Sequence, residues 1–249
     1  MNILVCVKQV PDTEARVQIA GEGKSIDIQD VNFILNPFDE FAVEEALLTK
    51  EKVGGEVTVI SLGNESAGSV ILTAMAMGAD KGLLLKTNSQ ADDPFQVARV
   101  LAAQIAETGF EVVFFGKQAV GNQHGQVGLL VAELLGVPAI SEVSELEIDQ
   151  KSARGKREIE GGNEIFQCSL PAVFTTQKGL NEPRYPSLKG RMAAKKKPLD
   201  IRAVELAEAR FVIESLSYPP QRPRGRILGD GAQAAAELVR CLREEAKVI

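Results

Sequence analysis

Between an apolar run, Val112 to Phe115, and a helical pattern, Gln126 to Leu135, stands the stretch Gly116-Lys117-Gln118-Ala119-Val120-Gly121-Asn122-Gln123-His124-Gly125-Gln126-Val127-Gly128. A strand, a small-residue loop and a helix N-terminus in direct succession aim several backbone N–H groups and the positive end of a helix dipole at one spot. Glycines at 116, 121, 125 and 128 would let phosphate oxygens approach the main chain. The loop matches neither G-x-G-x-x-G nor the Walker A pattern, and it has no lysine before a Ser or Thr. On this segment alone, an ordinary strand-to-helix turn and a phosphate cradle fit equally well.

Other chemistry is sparsely provided. His124 is the single histidine, and Cys6, Cys168 and Cys241 are far apart with no C-x-x-C pair. A His-based triad or metal site is not expected, and the thiols read as buried or incidental in a reducing compartment. The net charge of −6, the absence of Trp and the presence of only two Tyr argue against a nucleic-acid binder. No apolar run is long enough for a membrane span. The chain opens directly on a strand pattern with no secretory or transit signature, so a cytoplasmic setting is expected.

The elements that must position the loop alternate regularly. Asn2 to Val7 is a continuous apolar strand of the kind buried on both faces, and Pro11 and Asp12 are expected to end it. Arg16 to Ile19 and Ser25 to Ile28 flank Gly21-Glu22-Gly23 as a short hairpin. Asn36 suits a helix N-cap, Pro37 the first turn, and Asp39 or Glu40 the helix dipole. Strands follow at Glu56 to Leu62, Lys81 to Thr87 and Glu111 to Phe115, with helices ending near Met77 and spanning Phe95 to Glu107. This βα alternation predicts an α/β fold: a mostly parallel, Rossmann-like nucleotide-binding sheet flanked by helices. Ligands on such sheets lie beyond the C-terminal strand ends, so Lys8 to Asp12, Leu62 to Ser66 and the Gly116 loop should share one rim.

From Glu142 the pattern changes to short antiparallel strands, Glu145 to Asp149, Arg157 to Glu160 and Glu164 to Ser169, before an apolar strand, Leu170 to Thr176. Asn181 to Gly190 is irregular, and Met192 to Lys197 reads as a short helix ending in a basic run, with Lys195-Lys196-Lys197 as a solvated face. Pro219 to Gly225 is extended and basic, and Asp230 to Lys247 is helical. We therefore expect an α/β nucleotide-binding domain over residues 1–190 and a C-terminal arm and helix over 191–249, packing on something other than its own domain.

At this point the chain resembles the beta subunit of an electron transfer flavoprotein over nearly its whole length. The resemblance rests on VCVKQVPD, NPFDEFAVEEAL, AMGAD, QVARVLA, GKQA, LPAVFTT, LNEPRYPSL and AAKKK, in that order, of which NEPRY and the leucine and lysines that follow are the most specific. It implies an electron carrier without catalysis of its own. Its partner would be an alpha subunit that holds most of a redox-active FAD, and 191–249 would pack on that subunit. Carried over by position, AMP would meet Cys6, Asn36, Pro37, Phe38, Asp39, Leu62 and Gly116, Lys117, Gln118, Ala119, Val120, Gly121, Asn122, Gln123, His124, Gly125, Gln126 and Val127. Phe38 and the Asp12-Thr13 turn would also approach the flavin. Arg184, Tyr185, Leu188 and Lys196 would mark the surface that recognises dehydrogenases, such as the acyl-CoA dehydrogenases of fatty acid beta-oxidation, with Leu188 as apolar anchor; a membrane quinone oxidoreductase is a further client.

Two departures stand out. Many members carry an Asp-rich turn where this chain has Val120 to His124, and amides in place of carboxylates should suit a phosphate. One branch has Tyr where Thr13 stands. The VKQVPDT opening is similar to electron-bifurcating members, in which the beta subunit holds a second FAD and NADH is the donor. NPFDEFAVEEAL is similar to the ordinary branch, and AMP is the expectation. A stand-alone ATP-using enzyme on a similar sheet is the rival from another class, but no S-G-G-x-D-S-type loop follows the first strand.

Overall fold

Asn2–Cys6 carries side chains that are nearly all buried, as a strand covered on both faces requires. In the computed structural model, which describes residues 1–249 except Gln90, Arg222 and Pro223, this segment is β1. The following strands are β2 (Gln9–Pro11), β3 (Gln18–Ile19), β4 (Ile26–Asp27) and β5 (Phe33–Leu35). Then come α1 (Pro37–Val53), β6 (Glu56–Gly63), α2 (Gly68–Met77), β7 (Lys81–Lys86), α3 (Pro94–Ala106), β8 (Val112–Gly116) and α4 (Val127–Leu135). The chain continues with β9 (Ala139–Ile148), β10 (Ser152–Ile159), β11 (Gly162–Ser169), β12 (Ala172–Thr176), α5 (Leu188–Ala194), β13 (Leu199–Ala203) and α6 (Ala234–Arg240).

Among the described residues, nine strands form one sheet in the order β11-β10-β9-β12-β8-β1-β6-β7-β13. From β9 to β13 every neighbouring pair is parallel, and β10 and β11 add antiparallel at one edge. Alternation within β1 divides the core. Ile3 and Val5 pack with Val43 and Leu47 of α1 and Val70 and Ile71 of α2, whereas Leu4 and Cys6 pack with Leu101 and Ile105 of α3 and Val131 of α4. Helices therefore cover both faces, as an α/β sheet with parallel strands demands.

Several local expectations need correction. The segment expected only to terminate β1 forms β2, which pairs antiparallel with β5 and sets Pro11 opposite Phe33; a short edge pair tolerates the missing N–H. β9 begins at Ala139, pairs parallel with β12 over its first half and antiparallel with β10 over its second, with irregular register in both ladders. The short helix is Leu188–Ala194, earlier than the expected Met192 start, because Ser187 caps it by accepting from the Gly190 N–H at 3.0 Å.

The chain divides into compact units at Met1–Glu214 and Ser215–Ile249. This boundary lies beyond residue 190, since β13 pairs in register with β7 from Leu199↔Gly82 to Ala203↔Lys86. Within the second unit the expected helix over 230–247 shrinks to α6 and a π-turn, Cys241–Glu245. There the Arg226 guanidinium donates to Cys241 Sγ and Glu245 Oε2, both at 2.9 Å. Arg222 and Pro223 of the proline-rich arm lie outside the described residues. Among the described residues no helix is long and apolar enough to cross a membrane.

Candidate functional site

The sheet order contains a reversal. From β1 the chain adds β6 and then β7 on one side, and then returns to place β8 on the other side of β1. The helix after β1 packs on one face and the helix after β8 on the opposite face, so the loops leaving β1 and β8 diverge. Such a switch point opens a crevice beyond the strand ends. A cavity of about 310 Å³ lies there, toward the small end of the range typical of small-molecule sites, roughly 300–1,000 Å³. Its base is formed by strand residues that include Cys6, Ile60, Leu62, Phe115 and Gly116.

One hydrogen-bonded junction holds the cavity's loops. Asn36, the residue before α1, makes no side-chain cap to the helix backbone. Its Nδ2 donates to Asp39 Oδ1 and to the Gln118 carbonyl, both at 2.9 Å, and its Oδ1 accepts from the Val120 N–H at 3.1 Å. Asp39, 5% exposed, accepts in addition from the Lys8 N–H at 2.7 Å and the Gly116 N–H at 3.1 Å. The start of α1 thus pins both diverging loops through two side chains. Burial outweighs these donors and pushes the Asp39 carboxyl up to about 7. Burial foremost, with Asp39 adding to it, drives the Cys6 thiol well above its ordinary range, so Cys6 is a packing group and not a nucleophile.

The glycines of the loop differ in their reasons. A Cβ on Gly116 would stand 2.7 Å from the Phe38 carbonyl carbon and 2.8 Å from the Asp39 nitrogen, so the residue exists to let α1 and β8 touch. On Gly128 it would crowd Thr175 and Phe115 at 3.0 and 3.1 Å, which is close helix-to-sheet packing. Gly125 takes φ +63°, a conformation that penalises any side chain. Gly121 has open space around it. α4 starts without a side-chain cap, so its first-turn N–H groups stand at the cavity border without the usual partner.

Of the residues expected at the site, Cys6, Asn36, Asp39, Leu62, Gly116, Lys117, Gln118, Ala119, Asn122, His124, Gly125, Gln126 and Val127 line the cavity. Pro37, Phe38, Val120, Gly121 and Gln123 do not line it. Pro37 begins α1, the Gln123 N–H closes a turn on the Ala119 carbonyl at 2.9 Å, and the Phe38 ring lies 5.5 Å from Lys117 Nζ. That lysine also pairs with Glu142 Oε2 at 3.2 Å, and Glu142 itself holds φ 54°. The sequence reading places Lys8, just beyond β1, on this rim but omits one wall: Ser89, Ala91, Asp92, Pro94, Val97 and Leu101 around the start of α3. A signal for it exists, because α3 follows a parallel strand and its start must share the same rim.

The second group of expected residues lies after β12, and of it Arg184 grips α1. The Arg184 guanidinium embraces Glu44, with Nε donating to Oε1 and Oε2 at 3.1 and 2.9 Å and NH2 to Oε1 at 2.7 Å. It also reaches Glu51 Oε1 at 2.7 Å. These partners raise the Arg184 pKa further, Glu44 first. Beyond this staple, Tyr185 is 95% exposed, Leu188 81% and Met192 63%. In the basic run, Lys195 and Lys196 are exposed, but Lys197 donates to the carbonyls of Met75 and Ala79 at 2.9 and 2.6 Å, neutralising the end of α2. Among the described residues no group of His, Cys, Asp or Glu is placed to hold a metal ion.

Comparison with known proteins agrees with this geometry. The sequence profile described as Electron transfer flavoprotein domain matches residues 24–207. The chain is 39% identical to the electron transfer flavoprotein subunit beta of Bacillus subtilis (strain 168), with all of both chains covered. It is 38% identical to the protein of the same name from Bradyrhizobium diazoefficiens, again over all of both chains. It is 37% identical to that of Mus musculus, over 90% of this chain and 91% of the mouse protein. On a match of this extent, joined to a parallel sheet with a cavity at its switch point, the chain belongs to the electron transfer flavoprotein beta-subunit family.

Proposed function

We propose that the chain is the non-catalytic half of a heterodimeric electron carrier. In this reading it pairs with an alpha subunit that holds most of an FAD, and it binds AMP in the cavity between β1 and β8. The observation that carries the nucleotide assignment is the uncapped start of α4 facing a cavity at the switch point. Backbone N–H groups of that kind are suited to phosphate oxygens. Gln118, Asn122 and Gln126 add amide groups from the loop side of the cavity, and the apolar base of Cys6, Ile60 and Leu62 suits a base or sugar face. A nucleotide that binds only the folded chain stabilises it by mass action.

FAD, when bound in the complex, supplies one- and two-electron redox chemistry. The roles left to this chain are structural: completing the flavin pocket, holding the nucleotide, and docking redox clients. Exposed Tyr218, Ile227, Val248 and Ile249 favour the arm from Ser215 onward as the part that packs on the alpha subunit. Exposed Tyr185, Leu188 and Met192 favour α5 as the surface for dehydrogenases such as acyl-CoA dehydrogenase. The test is to purify the native complex and identify each bound nucleotide by mass. One FAD and one AMP per heterodimer is the expected result. Two flavins per heterodimer would replace AMP with the bifurcating arrangement, and a monomer without any adenine compound would remove the proposal.

A further inference from the structure

We infer that Lys8 is a ligand-binding residue of the cavity and that it receives the phosphate of the adenine nucleotide. The inference rests on the nucleotide reading above and adds to it a charge that the Gly116 loop does not supply. Two lysines line the cavity. Lys117 is occupied, with Glu142 Oε2 at 3.2 Å and Gln177 Oε1 at 3.5 Å. The Lys8 ammonium, by contrast, has no hydrogen bond or ion pair among the described residues.

The groups facing Lys8 explain why it stays unpaired. Asp39 and Asp92 are the charges it feels. The Asp39 oxygens already accept from Asn36 Nδ2 and from the N–H groups of Lys8 and Gly116, so their lone pairs are largely committed. Asp92 lies on the α3 side of the cavity, beyond ion-pair distance, and is itself partly open to solvent. The Lys8 side chain is exposed, and the protein around it still lowers its pKa, burial acting first and the two carboxylates opposing it.

An exposed ammonium that borders the cavity without a partner is free to turn toward an anion there. A phosphate entering the cavity would take it up in a charge-assisted hydrogen bond. Lysine suits this role, because a compact charge on a flexible stem binds phosphate as a point charge and does not require a fixed bidentate geometry. The position fits too. Lys8 leaves the end of β1 at the same switch point where the uncapped first turn of α4 borders the cavity, so fixed dipoles and a mobile charge can converge on one anion.

The test uses the full-length chain, in complex with its partner subunit, stripped of nucleotide and titrated with AMP, with adenosine and with inorganic phosphate as competitor. Lys8→Met should weaken AMP binding about 10- to 100-fold and leave adenosine within about twofold, while Lys8→Arg should retain most of the AMP affinity. Wild-type AMP binding should weaken with added salt more steeply than that of Lys8→Met. AMP affinity unchanged in Lys8→Met, or adenosine weakened in parallel with AMP, would overturn the assignment of Lys8 while leaving the nucleotide site in place. A wild-type complex that binds neither AMP nor adenosine would overturn the nucleotide reading itself, and this inference with it.

Discussion

Helix α1 anchors two loops by opposite means. Its first turn holds the Gly116 loop through Asn36 and Asp39, with neutral or half-neutral groups buried against backbone N–H donors. Its middle holds the 181–187 segment through carboxylates: Glu45 Oε2 accepts from Asn181 Nδ2 at 2.9 Å, and Glu44 and Glu51 grip Arg184. The inner loop is fixed along its length and lines a cavity. The outer segment is fixed at one end and then presents apolar side chains to solvent. The difference teaches where rigidity is useful. A small-molecule site needs pre-positioned donors, and under the proposed function a client-docking surface would need an anchored base with an adaptable tip.

The largest effect should follow from breaking the inner anchor. In Gly116→Val the new side chain would meet the backbone of Phe38 and Asp39 below 3.0 Å, and backbone cannot swing aside. A loss of about 4 kcal/mol or more is expected in urea denaturation. Gly121→Ala, with nothing closer than Pro11 Cδ at 4.0 Å, should be nearly neutral. Equal effects of the two substitutions would mean that α1 does not brace the loop.

Next in size is the pH dependence of the same junction. Burial raises the Asp39 carboxyl to about 7 in the folded chain, against roughly 4 when unfolded. An acid with a raised folded pKa contributes stability that is present below its unfolded pKa and is lost as pH rises toward the folded one. The chain should therefore lose on the order of 2–4 kcal/mol from this group between about pH 4 and pH 7. Asp39→Asn should flatten that part of the stability curve, whatever its absolute stability. Parallel wild-type and variant curves across this window would show that Asp39 is not the group responsible.

The outer anchor is expected to matter less. Arg184→Ala leaves the Glu44 carboxylate, 5% exposed, without its cation, but the arginine is itself 36% exposed, so the penalty should fall to roughly 2 kcal/mol from the 3–5 kcal/mol of a fully buried pair. Glu44→Gln added to Arg184→Ala should recover part of the loss, because an amide is cheaper to bury than an unpaired charge. A double variant less stable than Arg184→Ala would show that the pair is not the staple.

How much of this fold is legible in the sequence is itself a matter of burial. β1, β6, β7 and β8 read directly from sequence because parallel strands covered on both faces are continuous apolar runs. β13 does not, because LDIRA is an edge strand with mostly exposed side chains. β2 is hidden by Pro11, which reads as a terminator. At the site, the Gly116 loop announces itself by composition. Asn36 reads as an ordinary helix cap, and no local pattern shows that its side chain crosses to Gln118 and Val120. The α3 wall escapes a sequence reading because its membership depends on which strands lie side by side, whereas Lys8 falls on the expected rim but carries no local mark of a ligand contact. The resemblance offers Arg184 as a partner contact, and no local pattern shows that its guanidinium also grips Glu44 and Glu51 of α1.

The smallest effect on stability, and the sharpest on the outer loop's purpose, belongs to Leu188→Ala. Leu188 opens α5, which Ser187 caps and which packs so tightly on α2 that a Cβ on Gly190 would clash with the Ala76 carbonyl oxygen. Lys197 ties down the far side of the same helix pair. The base is therefore rigid, and an 81% exposed leucine adds almost nothing to it, so denaturation should shift by less than about 0.5 kcal/mol. A single apolar side chain on a rigid base can still dominate docking by filling a partner's pocket. Electron exchange with a dehydrogenase should then slow by about tenfold or more, with heterodimer and flavin content unchanged. If exchange is unaffected while Arg184→Ala, which loosens the base, slows it, then the backbone shape of the segment is what clients read, and the apolar tip is incidental.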